Sequence, residues 1–251
     1  MIVLKSPREI ALMRQAGQIV VAAMRMCRDL VKPGVSTLEI DREVEGLIRE
    51  RGARPAFKGY RGFPATVCVS INEEVVHGIP AAHRRLVDGD IVGLDLGAIV
   101  DGYHADAAFT LAVGEVSDEV QRLIDVTRES LDLAIAQARP RNRLGDISAT
   151  VQRHVEAAGF GVVRAFVGHG IGRELHEDPQ IPNFGEPGKG PILRPGMVLA
   201  IEPMVTMGHW EVRVLEDRWT AVTEDGSLAA HFEHTVAITE DGPDVLTREA
   251  A

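Results

Sequence analysis

The sequence predicts one domain of the α/β class, α+β in type, with helices covering an antiparallel sheet. Three observations predict it. Well-marked helix starts alternate with short apolar, strand-like segments, the same pattern occurs twice along the chain, and carboxylates lie on or directly after several apolar segments. With 251 residues, of which 45% are hydrophobic and 25% charged, the chain can bury a substantial core without disulfides.

The helices are predicted from their start and stop signals. Ser6 followed by Pro7 and Glu9 is a capping box with proline at the first helical position, and Ser36 with Glu39 is a second capping box. The four helices are expected to run from Pro7 to about Val31, from Thr37 to Gly52, from Ser117 to about Arg139 and from near Leu144 to Gly159.

The two halves of the chain resemble each other at one constant offset. Lys32-Pro matches Arg139-Pro (139 − 32 = 107), and Asp95 matches Glu202 at the ends of two apolar segments (202 − 95 = 107). One offset shared by helices and strands indicates a pseudo-twofold pair of lobes with a site where they meet. No linker rich in Pro, Gly or Ser separates them, so we expect a single domain over 1–251 with repeats at roughly 6–110 and 117–240.

Charge and composition narrow the function classes. The net charge of −10 argues against general nucleic-acid binding, which needs a basic face. Two cysteines, Cys27 and Cys68, are too few for a disulfide framework and suit a reducing compartment. The apolar stretch 18–26 is short and interrupted by Arg25, so it predicts an amphipathic helix and neither a signal peptide nor a membrane span. A cytoplasmic protein without membrane or nucleic-acid partners is expected.

A hairpin is predicted to bring two aspartates together. Asp101-Gly102 between short apolar stretches is a strong two-residue turn signal. Folding there pairs Gly97 with Asp106 and places Asp95 and Asp106 on one face, about 6–8 Å apart at the backbone. Carboxylates at that distance repel each other unless a proton or a metal ion lies between them. The alternative is a solvated pair at the edge of the sheet.

Three further residues complete a candidate metal site. His169 lies among three glycines in 168–172, Glu202 ends an apolar strand before Pro203, and Glu233 lies in a strand-like segment. Four carboxylates and one neutral imidazole would balance the charge of two divalent ions. Such oxygen-rich ligation favours Mn, Fe or Co, or a catalytic Zn, over a structural zinc site. This chemistry indicates hydrolysis of an amide or a phosphate ester.

Several motifs occur in an order that resembles a known family. They are Val76–Pro80, the aspartate pair spaced by eleven (106 − 95 = 11), Gly168–Gly172, Ile201–Met204 and Phe232–Thr235. Together they resemble the type I methionine aminopeptidases of peptidase family M24, in the minimal bacterial form, over essentially the whole chain. The resemblance implies the pita-bread (creatinase/aminopeptidase) fold. It also implies removal of the initiator methionine from nascent proteins and peptides, with a small second residue preferred, through water activated by two metal ions.

The resemblance gives each candidate residue a role. Asp95 should bind one metal ion, His169 and Glu202 the other, while Asp106 and Glu233 bridge both. His77 and His176 should act on the scissile amide and the tetrahedral intermediate, and Glu202 should shuttle a proton. By position alone, both histidines would be surface-loop residues.

An apolar methionine pocket is also implied. The matching positions are Phe57, Tyr60, Phe63, Cys68, Leu175 and Trp219. Phe57 stands where many bacterial members carry a cysteine, Phe63 where they carry a tyrosine, and Leu175 where they carry a phenylalanine. All stay apolar, so a preference for methionine should survive. A purely structural role in the core remains the alternative for Phe57 and Phe63.

Cofactors and partners follow from the same resemblance. Two divalent ions (Co, Mn, Fe or Zn) are expected, together with a monovalent cation near Asn72, although Glu74 and Ala229 depart from the family pattern there. The expected partners are polypeptide N-termini that start with methionine. A transient contact with the ribosome is compatible with this. A monomer is expected.

Three competing interpretations remain. A prolidase or aminopeptidase P would carry a large additional N-terminal domain, and a catalytically inactive peptide-binding module would lack some metal ligands. A dinuclear phosphoesterase would need cationic groups for phosphate, whereas the pocket positions here are apolar.

The subtype follows from segment lengths. Only 26 positions separate His176 from Glu202 (202 − 176 = 26), too few for the insert of type II enzymes. The short segment before Ser6 predicts no N-terminal zinc-finger extension.

Overall fold

The computed structural model describes residues 1–248, and within that range it contains four α-helices and fifteen strands. The helices are α1 (Pro7–Leu30), α2 (Thr37–Glu50), α3 (Asp118–Gln137) and α4 (Leu144–Ala157). The strands are β1 (Arg54–Pro55), β2 (Val67–Ile71), β3 (Glu74–Val76), β4 (Ile91–Val100), β5 (Tyr103–Ala112), β6 (Gly161–Val162), β7 (Gly168–Gly170), β8 (Glu177–Ile181), β9 (Val198–Ile201), β10 (Met204–Thr206), β11 (Val212–Val214), β12 (Ala221–Thr223), β13 (Ala229–His231), β14 (Glu233–Thr239) and β15 (Gly242–Val245). A short 3₁₀ turn spans Tyr60–Gly62.

The helices begin and end close to the positions that the sequence predicts. Both capping boxes form. The side chains of Ser6 and Ser36 each accept from the backbone N–H three residues later, and the side chains of Glu9 and Glu39 accept from the backbone N–H of the two serines. The bounds of α2 and α4 differ by the same offset at both ends (144 − 37 = 107 and 157 − 50 = 107). This is the offset at which the two halves of the sequence resemble each other.

A nine-stranded sheet forms the centre of the described chain. Its main path runs β1-β4-β5-β14-β9-β7-β8, with β2 added beside β4 and β15 beside β14. Helix α1 packs on β4 and β5 with α2 beside it, while α3 packs against β13 and β10 with α4 at its side. The buried apolar side chains of these layers form a continuous core, whose burial supplies most of the favourable folding free energy.

The β4–β5 hairpin confirms the predicted register. Val100 pairs with Tyr103, and Gly97 pairs with Asp106. The two turn residues between them have positive φ angles of 47° and 81°, as a type I′ turn requires. The turn therefore fixes which side chains of the two strands share a face.

Two small sheets accompany the central one. One has the order β13-β10-β6 and the other β11-β12-β3. They pack against each other through β3, β10 and β13, and β13 also contacts β4 and β5. None of the helices within residues 1–248 has both the length and the apolar character needed to cross a membrane. The last three residues of the expected domain lie outside the described range.

Candidate active site

Five neighbouring strands each supply one residue of a polar cluster. In sheet order these strands are β4, β5, β14, β9 and β7. The residues are Asp95 on β4, Asp106 on β5, Glu233 on β14, Glu202 directly after β9 and His169 on β7. All five residues nominated from the sequence as metal ligands thus converge on one face of the sheet.

The strand register explains the convergence. Asp95 and Glu233 both pair with Ala108, one from each side, so the small alanine separates two carboxylates in one row. Asp106 lies two residues from Ala108 and therefore projects from the same face. Continuing the β14–β9 register by one residue beyond its last pair sets Glu233 opposite Glu202.

The donor atoms lie close enough to share cations. One ligand atom each from Asp106, His169 and Glu233 lies within 4.8 Å of the others, and His169 Nε2 lies 3.4 Å from Glu202 Oε1. Oxygens of Asp95, Asp106 and Glu233 are buried without a hydrogen-bond partner among the described residues. Unsatisfied carboxylate oxygens aimed at one point fit divalent cations.

The electrostatics of the carboxylates support the same interpretation. Burial raises the pKa of Asp95 to about 7. Burial, and after it the neighbouring carboxylates, raise the pKa values of Asp106, Glu202 and Glu233 well above their usual range. Ionising these groups together near neutral pH therefore needs compensating positive charge.

His169 is held in the tautomer that a metal ligand needs. Its Nδ1 lies 3.0 Å from the carbonyl oxygen of Gly170, where it donates, so the Nε2 lone pair faces the carboxylates. Burial lowers the pKa of His169 to about 4, so its imidazole is neutral near pH 7. A Cβ on Gly170 would lie 2.1 Å from the carbonyl oxygen of Asp178, so only glycine permits this close approach of β7 to β8.

His77 and His176 line the same cavity as the cluster and are held by different neighbours. His77 follows β3 with a left-handed φ of 63°, and its ring lies edge-on to Phe166 and Trp219 at 5.5 and 6.2 Å. His176 lies with its ring centroid 4.3 Å from that of His169, and its Nδ1 is 2.8 Å from the hydroxyl of Tyr60. Burial lowers the pKa of His77 to about 4, so this ring too is neutral at pH 7.

One cavity of about 280 Å³ joins the polar cluster to an apolar recess. All thirteen residues nominated from the sequence line it: Phe57, Tyr60, Phe63, Cys68, His77, Asp95, Asp106, His169, Leu175, His176, Glu202, Trp219 and Glu233. Phe57 and Phe63 also belong to a buried apolar cluster, so they line the cavity and pack in the core at once. Burial raises the pKa of Cys68 well above its usual range, so the thiol is protonated and apolar in character.

Comparison with known proteins now adds independent information. Residues 11–240 match the model of metallopeptidase family M24. The chain belongs to this family. It is 55% identical to the methionine aminopeptidase of Clostridium acetobutylicum, over 98% of this chain and 99% of that protein. It is 54% identical to methionine aminopeptidase 1 of Bacillus subtilis, over 99% of this chain and 100% of that one.

Solved structures agree on the fold of this M24 protein. The methionine aminopeptidase of Thermotoga maritima superposes with a TM-score of 0.98 at 51% identity, covering 99% of this chain and all of that one. A prolidase from Pyrococcus furiosus superposes with a TM-score of 0.81 at 25% identity, over 99% of this chain and 66% of that one. The pita-bread fold, the family and the metal-dependent hydrolase class expected from the sequence are confirmed.

The cavity of this M24 chain also contains residues that the sequence reasoning missed. Phe166 and Arg61 line it, and His231 places its buried Nε2 3.7 Å from Glu202 Oε2. Strand alternation does not mark His231, because it ends β13, which belongs to a different sheet from Glu233 on β14. No local signal marked Phe166, since its contact with His77 depends on how β3 and the segment after β6 meet.

The segment around Asn72 is closely hydrogen-bonded. The carbonyl oxygen of Asn72 accepts from the backbone N–H of Ala229. The side chain of Asn72 donates to the Asp90 carboxylate and accepts from the backbone N–H of Ile91. Glu74 forms an ion pair with Arg84. The residues that depart from the family pattern here are thus occupied with protein partners.

Proposed function

We propose that this M24 enzyme hydrolyses the first peptide bond of nascent proteins and peptides that begin with methionine, and prefers a small second residue. The observation that carries the proposal is the single cavity in which the carboxylate cluster meets an apolar recess. The cluster suits hydrolysis, and the recess suits an unbranched thioether side chain. The rings of His77, His176 and Tyr60 line the same cavity beside the carboxylates, which supports a small residue after the scissile bond.

We propose that two divalent cations bind the cluster. Asp95 would hold one, His169 and Glu202 the other, and Asp106 and Glu233 would bridge them. When bound, such ions supply a nucleophilic water at neutral pH and Lewis acidity at the scissile carbonyl. The oxygen-rich donor set favours Mn, Fe, Co or Zn over softer ions.

The chain's own residues would move protons and stabilise charge. Glu202 would take a proton from the attacking water and return it to the leaving amine. We assign the Tyr60 hydroxyl as the donor to His176 Nδ1, the tautomer that leaves a proton on Nε2 to donate to the developing oxyanion. His77 would bind the scissile amide, and its contacts with Phe166 and Trp219 hold its ring towards the substrate.

Recognition of the methionine side chain would fall to the apolar wall. Phe63 and Trp219 meet edge to face with centroids 5.1 Å apart, which gives this wall a fixed shape. Leu175 and Phe57 close the recess without adding a hydrogen-bonding group. A charged or amide side chain would lose its hydration there without a partner, which supports selectivity for methionine.

The test assays purified protein that has been stripped of metal and reloaded with Mn, Co or Fe. We expect free methionine to be released from Met-Ala-Ser and much more slowly from Met-Leu-Ser. Calorimetric titration should show two equivalents of metal bound per chain. Failure to release methionine with any of the three metals would refute the proposal, and equal cleavage of X-Pro peptides would assign the chain to the prolidase activity instead.

Further proposals concern the state of the protein. We propose one domain built from two related lobes, acting as a cytoplasmic monomer on nascent chains, with transient contact to the ribosome. A monovalent cation near Asn72 would rely on backbone carbonyls, and that of Asn72 keeps a second lone pair beside the one that Ala229 N–H engages. Light scattering, ribosome co-sedimentation and a potassium titration of activity test these points separately.

A further inference from the structure

A buried ion pair lies just outside the cavity and has no part in the chemistry described above. The side chain of Lys5 is 3% exposed and that of Glu177 is 12% exposed, and Nζ lies 2.6 Å from Oε2. Buried lysines are rare, and placing an ion pair away from water carries a large desolvation penalty. Stability alone is therefore a poor explanation for it.

Glu177 connects this pair to a residue of the active site. It directly follows His176 in the chain and begins β8. Its second oxygen, Oε1, accepts from the backbone N–H of Glu174 at 3.3 Å, while Gly172 N–H donates to the Glu174 carbonyl at 3.1 Å. One carboxylate thus closes the loop 172–177, which carries His176.

Lys5 is fixed to the main sheet. Its backbone N–H donates to the carbonyl of Gly196 at 2.7 Å, and Gly196 in turn donates to Ile238 on β14 at 2.9 Å. Its Nζ also donates to the Val3 carbonyl at 3.0 Å. The next residue, Ser6, caps α1. The ammonium group is therefore a fixed point relative to the sheet that carries the carboxylate cluster.

The packing around the pair leaves little freedom. A Cβ built on Gly172 would lie 2.4 Å from Lys5 Cε and 2.6 Å from Glu177 Oε1. Any side chain at position 172 would therefore displace the ends of the Lys5 and Glu177 side chains. Because charge-paired side chains and backbone are in direct contact here, a change at any of the three residues should shift the loop.

We propose that Lys5 is a positioning residue that acts through Glu177 to hold His176 where its ring can reach the substrate. The inference rests on the proposed role of His176. Tyr60 fixes the orientation of the ring at Nδ1, and the ion pair fixes the backbone that carries it. A catalytic group displaced by about 1 Å can lose up to about a hundredfold in rate, so loop position is a functional quantity.

The first experiment compares Lys5→Met with Lys58→Met. Lys58 pairs with Glu45 at the same 2.6 Å distance, but its side chain is 43% exposed against 3% for Lys5, and neither Lys58 nor Glu45 lines the cavity. We expect Lys5→Met to lower kcat about tenfold on Met-Ala-Ser with KM and metal stoichiometry unchanged. Lys58→Met should match the parent enzyme. Unchanged kcat in folded Lys5→Met protein would overturn the proposal.

A second set of variants separates positioning from stability. Lys5→Met with Glu177→Gln removes both charges, so it should regain thermal stability while kcat stays low. Gly172→Ala keeps both charges and should also lower kcat, which covers the case in which Lys5→Met does not fold. If the double variant regains full kcat, or if Gly172→Ala has parental kcat, the pair has no positioning role.

A readout independent of turnover completes the test. In metal-free, ¹⁵N-histidine-labelled protein, the ring signals of His176 are identified by their loss in His176→Ala. We expect these signals to shift in Lys5→Met and to stay in place in Lys58→Met. Signals that do not move would contradict the inference even if the enzyme proposal holds, whereas absence of methionine release by the parent protein would refute the enzyme proposal alone.

Discussion

Replacing Asp95 by asparagine should stabilise the metal-free protein at alkaline pH and abolish tight metal binding. One oxygen of Asp95 is buried without a hydrogen-bond partner among the described residues, and burial raises its pKa to about 7. Asparagine keeps the shape and removes the charge. The free energy of unfolding of the metal-free protein should therefore rise wherever the parent carboxylate is ionised.

The magnitude follows from the two pKa values. In the unfolded chain Asp95 has the ordinary value of 3.8, against about 7 in the folded chain. A folded pKa above the unfolded one gives stability that is present below pH 3.8 and lost as the pH rises through about 7. The difference corresponds to on the order of 4 kcal/mol at pH 8 and to less than about 2 kcal/mol at pH 5.

The assay is urea unfolding of chelator-treated protein, followed by circular dichroism at pH 5 and pH 8. Comparing variant with parent at each pH cancels the contribution of the buried histidines, which changes in the opposite direction. Asp29→Asn, on the exposed face of α1, is the matched control and should show no pH-dependent gain. The reasoning is refuted if metal-free Asp95→Asn is no more stable than its parent at pH 8, or if its gain is as large at pH 5.

Three other substitutions test separate parts of the site. His77→Ala should keep its metal and lower turnover about 10²-fold or more, because we propose that its ring acts on the transition state; metal analysis of the purified variant distinguishes this from a ligand role. Tyr60→Phe removes the hydrogen bond to His176 and should lower kcat about two- to tenfold with little change in KM, measured on Met-Ala-Ser. Gly102→Val forces a branched residue into a φ of 81°, so we expect unfolding to become about 1–2 kcal/mol easier and metal titration to show weaker binding.

The local parts of the fold were predictable from local chemistry. The capping boxes at Ser6 and Ser36 and the Asp101-Gly102 turn each depend on residues within a few positions of one another. Once that turn is known, the alternation of side chains along a strand places Asp95 and Asp106 on the same face. No long-range information enters this step.

The parts that escaped prediction depend on contacts between distant segments. Lys5 and Glu177 are 172 residues apart, and neither has a neighbour in sequence that marks it as buried. Phe166 likewise contacts His77 only because the two small sheets share one apolar cluster, against which Phe166 packs. Assigning the pairing of β14 with β5 and β9 also required the structure, because the connections between these strands are long.

The position of the proposed metal site is secured by the apolar core. Each of the five proposed ligands lies on, or directly after, a strand of the central sheet, and in the long apolar strands β4, β5 and β14 a slip of one residue would turn a buried apolar face to water. The free energy of core packing thus fixes the register, and the register holds Asp95, Asp106 and Glu233 together despite their repulsion. Cations then relieve a repulsion that the sheet does not allow the carboxylates to escape. It follows that substitutions that weaken the core but keep the register should leave metal affinity intact until the protein unfolds.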